Sequence, residues 1–165
     1  MKWIFGLPAH PFVVHIPLVL VPLVCSGAIG IAARPAWRRR FGWIVVAGSA
    51  LMVVAVLLAM SSGEALNQLT GKTEPITYHR QLAETSRMLV IALFVGVLAL
   101  VLVGRFCDRN PEAAASLGWM RPLMIAIAVF TTAAALTSAI WIVRTGHEGT
   151  KVVWRDLIEH HSDHG

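Results

Sequence analysis

Histidines are the residues of this chain best suited to cofactor chemistry. There are seven of them, at His10, His15, His79, His147, His160, His161 and His164. Imidazole binds zinc, copper and iron, and it is a common axial ligand of haem. The sequence therefore points to a metal or haem site, provided that the fold brings several of these histidines together.

Four apolar stretches must position these histidines. A helix needs about 20 residues to cross the hydrocarbon core of a bilayer, and each stretch approaches or exceeds that length. Backbone polar groups find no water in lipid, so such stretches must be helical. The sequence predicts an all-α fold, a four-transmembrane-helix antiparallel bundle forming a single integral membrane domain over residues 1–165, with spans at about 12–33, 41–60, 77–104 and 123–143.

The composition excludes several classes of protein. The chain is 56% hydrophobic and 14% charged, with a mean hydropathy of +0.68, whereas soluble domains carry about 25% charged residues. A soluble enzyme cannot bury so much apolar surface, and a disordered tail would be more polar. The net charge of +5 does not indicate nucleic-acid binding, because Arg34, Arg38, Arg39 and Arg40 crowd a short connector between two spans, where topology signals lie.

The same arginine connector predicts the orientation in the membrane. Lysines and arginines are equally numerous on the two sides, but basic residues in short loops count most. The connector is therefore expected inside the cell and both termini outside. The first apolar stretch is expected to be retained rather than cleaved as a signal peptide, because His15, Pro17 and Pro22 interrupt it.

In this orientation every histidine lies on the outer side or in the outer leaflet. His10 precedes Pro11 at the start of the first helix, and His15 lies about 7 Å deeper at a rise of 1.5 Å per residue. His79 is expected at the outer start of the third helix, and His147 just beyond the outer end of the fourth. A polar residue within a span usually faces the bundle interior and serves a function. His15 is therefore expected to be the most buried of the four.

The leading hypothesis is a b-type haem site for electron transfer. Its candidate ligands are His10, His15, His79 and His147, with His15 paired with His79 or His147. Small residues could open a slot for the porphyrin, although such residues also serve ordinary close packing of helices; they are Ser26, Gly27, Ala28, Gly30, Ala133, Ala134 and Ala135. Covalent c-type attachment is unsupported, because neither Cys25 nor Cys107 lies in a CxxCH motif.

Two alternatives remain open. The same four histidines, with Glu148, could hold a copper, zinc or iron ion without haem. The chain could instead be a non-catalytic accessory subunit that packs against a larger membrane complex. The sequence leaves open whether the protein is an enzyme.

The order of several motifs resembles that of a known family. The segment His10-Pro11-x-x-Val14-His15-x-Pro17-Leu18 resembles the opening of bacterial membrane proteins of the domain of unknown function 2231 family. The resemblance continues in order through three later segments, which are Ser62-Gly63, His79 with Leu82-Ala83, and Gly146-His147-x-Gly149 with Val153. It implies four membrane helices in the bacterial inner membrane and a role as a redox component with an electron-transfer partner.

The chain departs from the family pattern at three places. Ile16 replaces a usual Phe, and Arg80 follows His79 where Glu is frequent. Residues 154–157 replace a stretch that contains a late histidine in many relatives. If that histidine is a ligand in the relatives, His160 or His161 would have to substitute for it here.

Overall fold

The computed structural model describes the backbone of residues 3–4, 7–8, 13–70 and 74–162, and the side chains of 13–64, 78 and 80–148. Two short strands form an antiparallel pair, with Trp3 opposite Pro8 and Ile4 opposite Leu7. Helices make up nearly all of the rest. The elements are β1 (Trp3–Ile4), β2 (Leu7–Pro8), α1 (His15–Ala33), α2 (Pro35–Thr70), α3 (Glu74–Arg109), α4 (Pro111–Ser116) and α5 (Met120–Ser162).

Prolines determine where two of the helices begin. Arg34 has extended backbone angles of φ −127° and ψ 109°, the conformation that a following proline favours. Pro35 then takes the first position of α2, where its missing N–H costs nothing, and Pro111 does the same for α4. The expected arginine connector is therefore wrong in its length, because only Arg34 lies between α1 and α2 and residues 38–40 are helical.

The long helices form a four-membered ring. α1 packs against α2 and α5, and α3 packs against the same two helices, so that α5 closes the bundle onto α1. The core contains residues from all four, among them Val21, Met52, Leu93 and Ala135, each 0% exposed. Large apolar side chains on the outer faces remain exposed in the isolated chain, which suits a protein surrounded by lipid. The predicted all-α antiparallel bundle is confirmed.

The helices extend well beyond the segments that can lie in lipid. α2 and α3 each have 36 residues and α5 has 43, which corresponds to about 54 Å and 64 Å against a hydrocarbon core of about 30 Å. The apolar spans are His15–Ala33, Pro35–Glu64, Arg80–Arg109 and Met120–Glu148. The predicted span limits at 60 and 143 lie within longer helices, because hydropathy marks only the part of a helix that contacts lipid.

Candidate functional site at the histidine-bearing end

The bundle has two chemically different ends. α1 and α3 begin at one end of the bundle, and α2 and α5 finish there. We refer to it as the histidine-bearing end, because His15, His79 and His147 lie on the parts of these helices nearest to it. The opposite end, where α1 passes into α2 and α3 finishes, holds Arg34, Arg38, Arg39, Arg40, Arg105 and Arg109, and we refer to it as the arginine-rich end. The histidines of the spans thus lie at the end away from this arginine cluster.

His15 and His147 lie at similar depths on neighbouring helices. A Cβ placed on Gly146 of α5 would be 3.5 Å from Leu18 Cδ1 of α1, so the two helices touch there. His15 is three residues beyond Leu18 and His147 one residue beyond Gly146, both towards the histidine-bearing end. At 1.5 Å per residue, the two positions differ in depth by about 3 Å.

The expectation that His15 faces the bundle interior is wrong, because its side chain is exposed, as is that of His147. α1 buries Pro17, Val21, Val24, Ala28 and Ile31, at the spacing of one helix face. His15 is two residues before Pro17 and therefore lies on nearly the opposite face. The angular position of His15 on α1 can be read from the sequence once it is known which face of the helix meets the core.

His147 also differs from expectation in its surroundings. It lies within α5, which continues to Ser162, rather than after the end of the fourth helix. The imidazole is thus carried on a rigid helical backbone, one residue from the contact between α1 and α5. Glu148 follows it on the same helix and is half-buried.

His79 lies near the start of α3, as expected, but its side chain and all of His10 lie outside the described residues. The neighbouring Arg80 joins α3 to α2, because its Nη1 lies 3.1 Å from Glu64 Oε2, and its Nε lies 3.3 Å from Glu84 Oε1. The first of these contacts joins α3 to α2 one residue from His79, and the second lies within α3.

The depth of His79 follows from a contact between α3 and α5. Ser86 and Thr145 face each other with their hydroxyl oxygens 3.0 Å apart. His79 is seven residues beyond Ser86 and His147 two beyond Thr145, which separates them by about 7 to 8 Å along the helix axes. His15 and His147 are therefore the better-matched pair in depth.

Polar groups that sequence reasoning missed lie beneath this end. Ser86 and Thr145 are buried, and so is Ser138, which is 2% exposed. Within the described part of the chain, Ser138 Oγ and Trp141 Nε1 are buried and have no hydrogen-bond partner. Ser138, Trp141 and Thr145 are spaced i, i+3 and i+7, so they share one face of α5. The i, i+3, i+7 spacing is the signal in the sequence that could have revealed this polar face. Ser138 Oγ and Trp141 Nε1 are free to bind a water or another acceptor.

Most of the small residues that could have opened a porphyrin slot serve close packing instead, the exceptions being the exposed Ser26 and Ala133. A Cβ on Gly27 would lie 3.2 Å from Val45 Cγ2, and one on Gly30 would lie 3.0 Å from the ring of Trp37. Ala28 and Ala135 are 0% exposed. At these positions the helices are packed too closely to leave a slot between them.

The described residues contain no group of three or more His, Cys, Asp or Glu side chains close enough to hold a metal ion. The described imidazoles at this end are those of His15 and His147, and Glu148 adds a carboxylate beside them. Two imidazoles can serve as the axial ligands of a haem iron or as part of the ligand set of a copper, zinc or iron ion.

A comparison with protein families gives one match that spans nearly the whole chain. The family model described as a predicted membrane protein, DUF2231, matches residues 6–161. No curated protein and no solved structure matches the chain. Four spans among the described residues agree with a multi-pass protein of the lipid bilayer.

Proposed function

Because the chain belongs to the DUF2231 family of predicted membrane proteins, we propose that it is a membrane redox subunit with an imidazole-ligated cofactor at its histidine-bearing end. Haem b is the leading cofactor, and electron transfer to a membrane or soluble partner is the function. The observation that carries the proposal is the similar depth of His15 and His147 on two helices in contact.

The chemistry of the donors supports this function. His15 and His147 would supply ligand nitrogens, with His10 and His79 as the further candidates at the same end. A haem held in this way would supply one-electron chemistry, while the protein would set its potential through ligation, burial and hydrogen bonding. Exposure of both imidazoles leaves room for a large planar group outside the packed helices.

The polar groups beneath the histidines support the same location. Trp141 Nε1 is a hydrogen-bond donor and Ser138 Oγ can donate or accept. Arg144 lies over the Trp141 ring, with its guanidinium carbon 5.0 Å from the ring centroid. The exposed guanidinium of Arg144 suits a cofactor that carries carboxylates, as haem does, whereas the two buried groups lie inside the bundle.

An absorption spectrum of the purified full-length chain tests the proposal. The chain is expressed with a supply of haem precursor, and oxidised and dithionite-reduced spectra are recorded. A Soret band that sharpens and shifts on reduction is expected. His15→Ala and His147→Ala should each remove or change this spectrum, because each would remove an axial ligand, while His164→Ala serves as the matched control and should leave it unchanged.

The outcomes separate the proposal from its alternatives. A chain that folds but shows no Soret band and contains no iron contradicts the haem proposal. A spectrum that is the same in wild type, His15→Ala and His147→Ala contradicts the ligand assignment. Circular dichroism of each variant distinguishes loss of a ligand from loss of the fold.

A non-haem metal site is the second candidate, and the close packing of Gly27, Ala28 and Gly30 favours it, because a single ion needs no slot. Elemental analysis of the same preparations tests it. Stoichiometric copper, zinc or iron without a haem spectrum, lost in His15→Ala and His147→Ala but kept in His164→Ala, would support this candidate. Absence of both metal and haem, with a larger complex retained on solubilisation, would indicate an accessory subunit.

A further inference from the structure

A groove runs along the outside of the bundle between α1 and α5, towards the arginine-rich end. Its volume is about 430 Å³, and it is lined from α1 by Ile29, Ala32 and Ala33 and from α5 by Ala128, Thr132 and Leu136. Small side chains on both helices leave this space open. The groove faces outward, where the bundle meets lipid, rather than into the core.

The surface of the groove is apolar. Thr132 is the one hydroxyl residue in its lining, and its Oγ1 donates to the carbonyl oxygen of Ala128 at 2.9 Å. That bond satisfies the hydroxyl hydrogen within its own helix. The groove therefore offers hydrocarbon contacts to whatever occupies it.

Two arginines flank the lining residues along α1 and α5, on the side of the arginine-rich end. Arg34 follows the lining residue Ala33 directly, and its side chain is exposed. Arg121 is also exposed and lies seven residues before Ala128, which places it on the same face of α5 about 10 Å nearer to the helix end. The guanidinium of Arg34 lies 4.9 Å from the centroid of the Trp37 ring, and stacking of this kind leaves its N–H edge available to an anion.

The parts of α1 and α5 on either side of the groove carry no compensating acid. Residues 15–33 and 120–147 contain neither Asp nor Glu. Asp108 at the same end lies on α3, where its Oδ1 is 3.4 Å from Arg39 Nη1 of α2. Glu112 lies on the separate helix α4. The side of the groove towards the arginine-rich end is therefore cationic, while its walls are apolar.

We propose that this groove binds one anionic phospholipid, with an acyl chain along α1 and α5 and the phosphate between Arg34 and Arg121. A phospholipid has the matching distribution of chemistry, since its anionic headgroup is joined to hydrocarbon chains. Basic sites at the ends of membrane helices bind anionic headgroups in this way. A second copy of the chain is disfavoured, because a symmetric contact through this face would bring the arginines of both copies together.

Native mass spectrometry of the detergent-purified full-length chain tests the site. Dioleoylphosphatidylglycerol and dioleoylphosphatidylcholine are titrated separately, and glycerol 3-phosphate is titrated as the headgroup chemistry without acyl chains. One phosphatidylglycerol should bind more tightly than phosphatidylcholine, by about fivefold for each arginine that contacts the phosphate. Glycerol 3-phosphate should bind far more weakly than phosphatidylglycerol, because it cannot use the groove.

Variants locate the binding on the protein. Arg34→Gln with Arg121→Gln should reduce phosphatidylglycerol binding to the level of phosphatidylcholine. Arg144→Gln removes an exposed positive charge from α5 nearer the opposite end, and as the matched control it should leave the preference unchanged. Ala133 of α5 also lines the groove, so Ala133→Phe should fill the groove and weaken the binding of both lipids.

Three results would overturn the proposal. The first is equal binding of the two lipids by the wild-type protein. This result does not depend on whether any variant folds. The second is a loss of preference in Arg144→Gln as large as that in the double variant, which would indicate attraction to overall charge. The third is a dimer that Ala133→Phe converts to a monomer, which would make a second copy the occupant.

Discussion

Glycines set how closely α3 can approach its neighbours. Gly96 is buried where α3 meets α5, and a Cβ there would lie 2.8 Å from Thr131 Oγ1. Thr131 is 0% exposed and donates to the carbonyl oxygen of Ile127 at 2.7 Å, so it cannot move aside. In lipid, where burial of apolar surface drives helix association little, such close contacts contribute much of the stability.

Gly96→Ala should therefore destabilise the bundle. We expect an overpacking cost of about 1–3 kcal/mol, of which the better helix propensity of alanine offsets at most about 1 kcal/mol. Gly48→Ala is the matched control, because a Cβ on Gly48 would lie 3.4 Å from Val24 Cγ2, an ordinary contact. Thermal unfolding in detergent measures both variants, and equal stability of the two would contradict the packing argument.

The long helices of this protein extend beyond their membrane-spanning segments. Polar contacts join the parts of the helices that lie outside those segments. Arg80 bridges from α3 to Glu64 near the point where α2 leaves the apolar span. The two side chains are 51% and 44% exposed, so water screens their attraction. The ion pair joins α3 to α2 one residue from His79 and is expected to contribute little to stability.

We expect Arg80→Gln to lower the free energy of unfolding by no more than about 1 kcal/mol. The difference from wild type should shrink in 1 M salt, where the Debye length falls to about 3 Å. Glu84→Gln is the control, because it removes only the contact of Arg80 within α3. Chemical denaturation at low and high salt measures these effects. A loss that is the same at both ionic strengths would assign the effect to packing of the arginine stem.

At the scale of the whole molecule, the four candidate spans among the described residues predict that His15 and Glu148 lie on the same side of the membrane. The concentration of arginine at one end predicts which side that is. Arg34, Arg38, Arg39 and Arg40 lie at or just after the single-residue connection between α1 and α2, the kind of position where basic residues determine orientation. The arginine-rich end should therefore face the cytoplasm and the histidine-bearing end the outside.

The two native cysteines allow this orientation to be tested. Cys25 is buried within α1, whereas Cys107 is partly exposed near the arginine-rich end of α3. A membrane-impermeant maleimide should not label the wild-type chain in intact cells but should label Cys107 in inverted membrane vesicles. Tyr78→Cys in a Cys107→Ser background should be labelled in intact cells, because Tyr78 is exposed at the histidine-bearing end. The reverse labelling pattern would contradict the predicted orientation.

The sequence by itself determined that lipid surrounds the protein, that the fold is all-α, and approximately where the membrane-spanning segments lie. These follow from local properties, since the length of an apolar stretch and its need for internal backbone hydrogen bonds do not depend on distant residues. It also indicated that the histidines and the densest arginine cluster belong to different ends of the bundle, because the alternation of antiparallel spans is enough to show that.

Only the tertiary structure decided which faces of the helices meet. The outward position of His15, the contact between Ser86 and Thr145, and the groove between α1 and α5 each depend on the rotation and depth of one helix against another. Those are determined by close packing at residues such as Gly27, Gly30 and Gly96. Small residues of this kind are compatible with several helix pairings in the sequence, and the shapes of all the neighbours together select one.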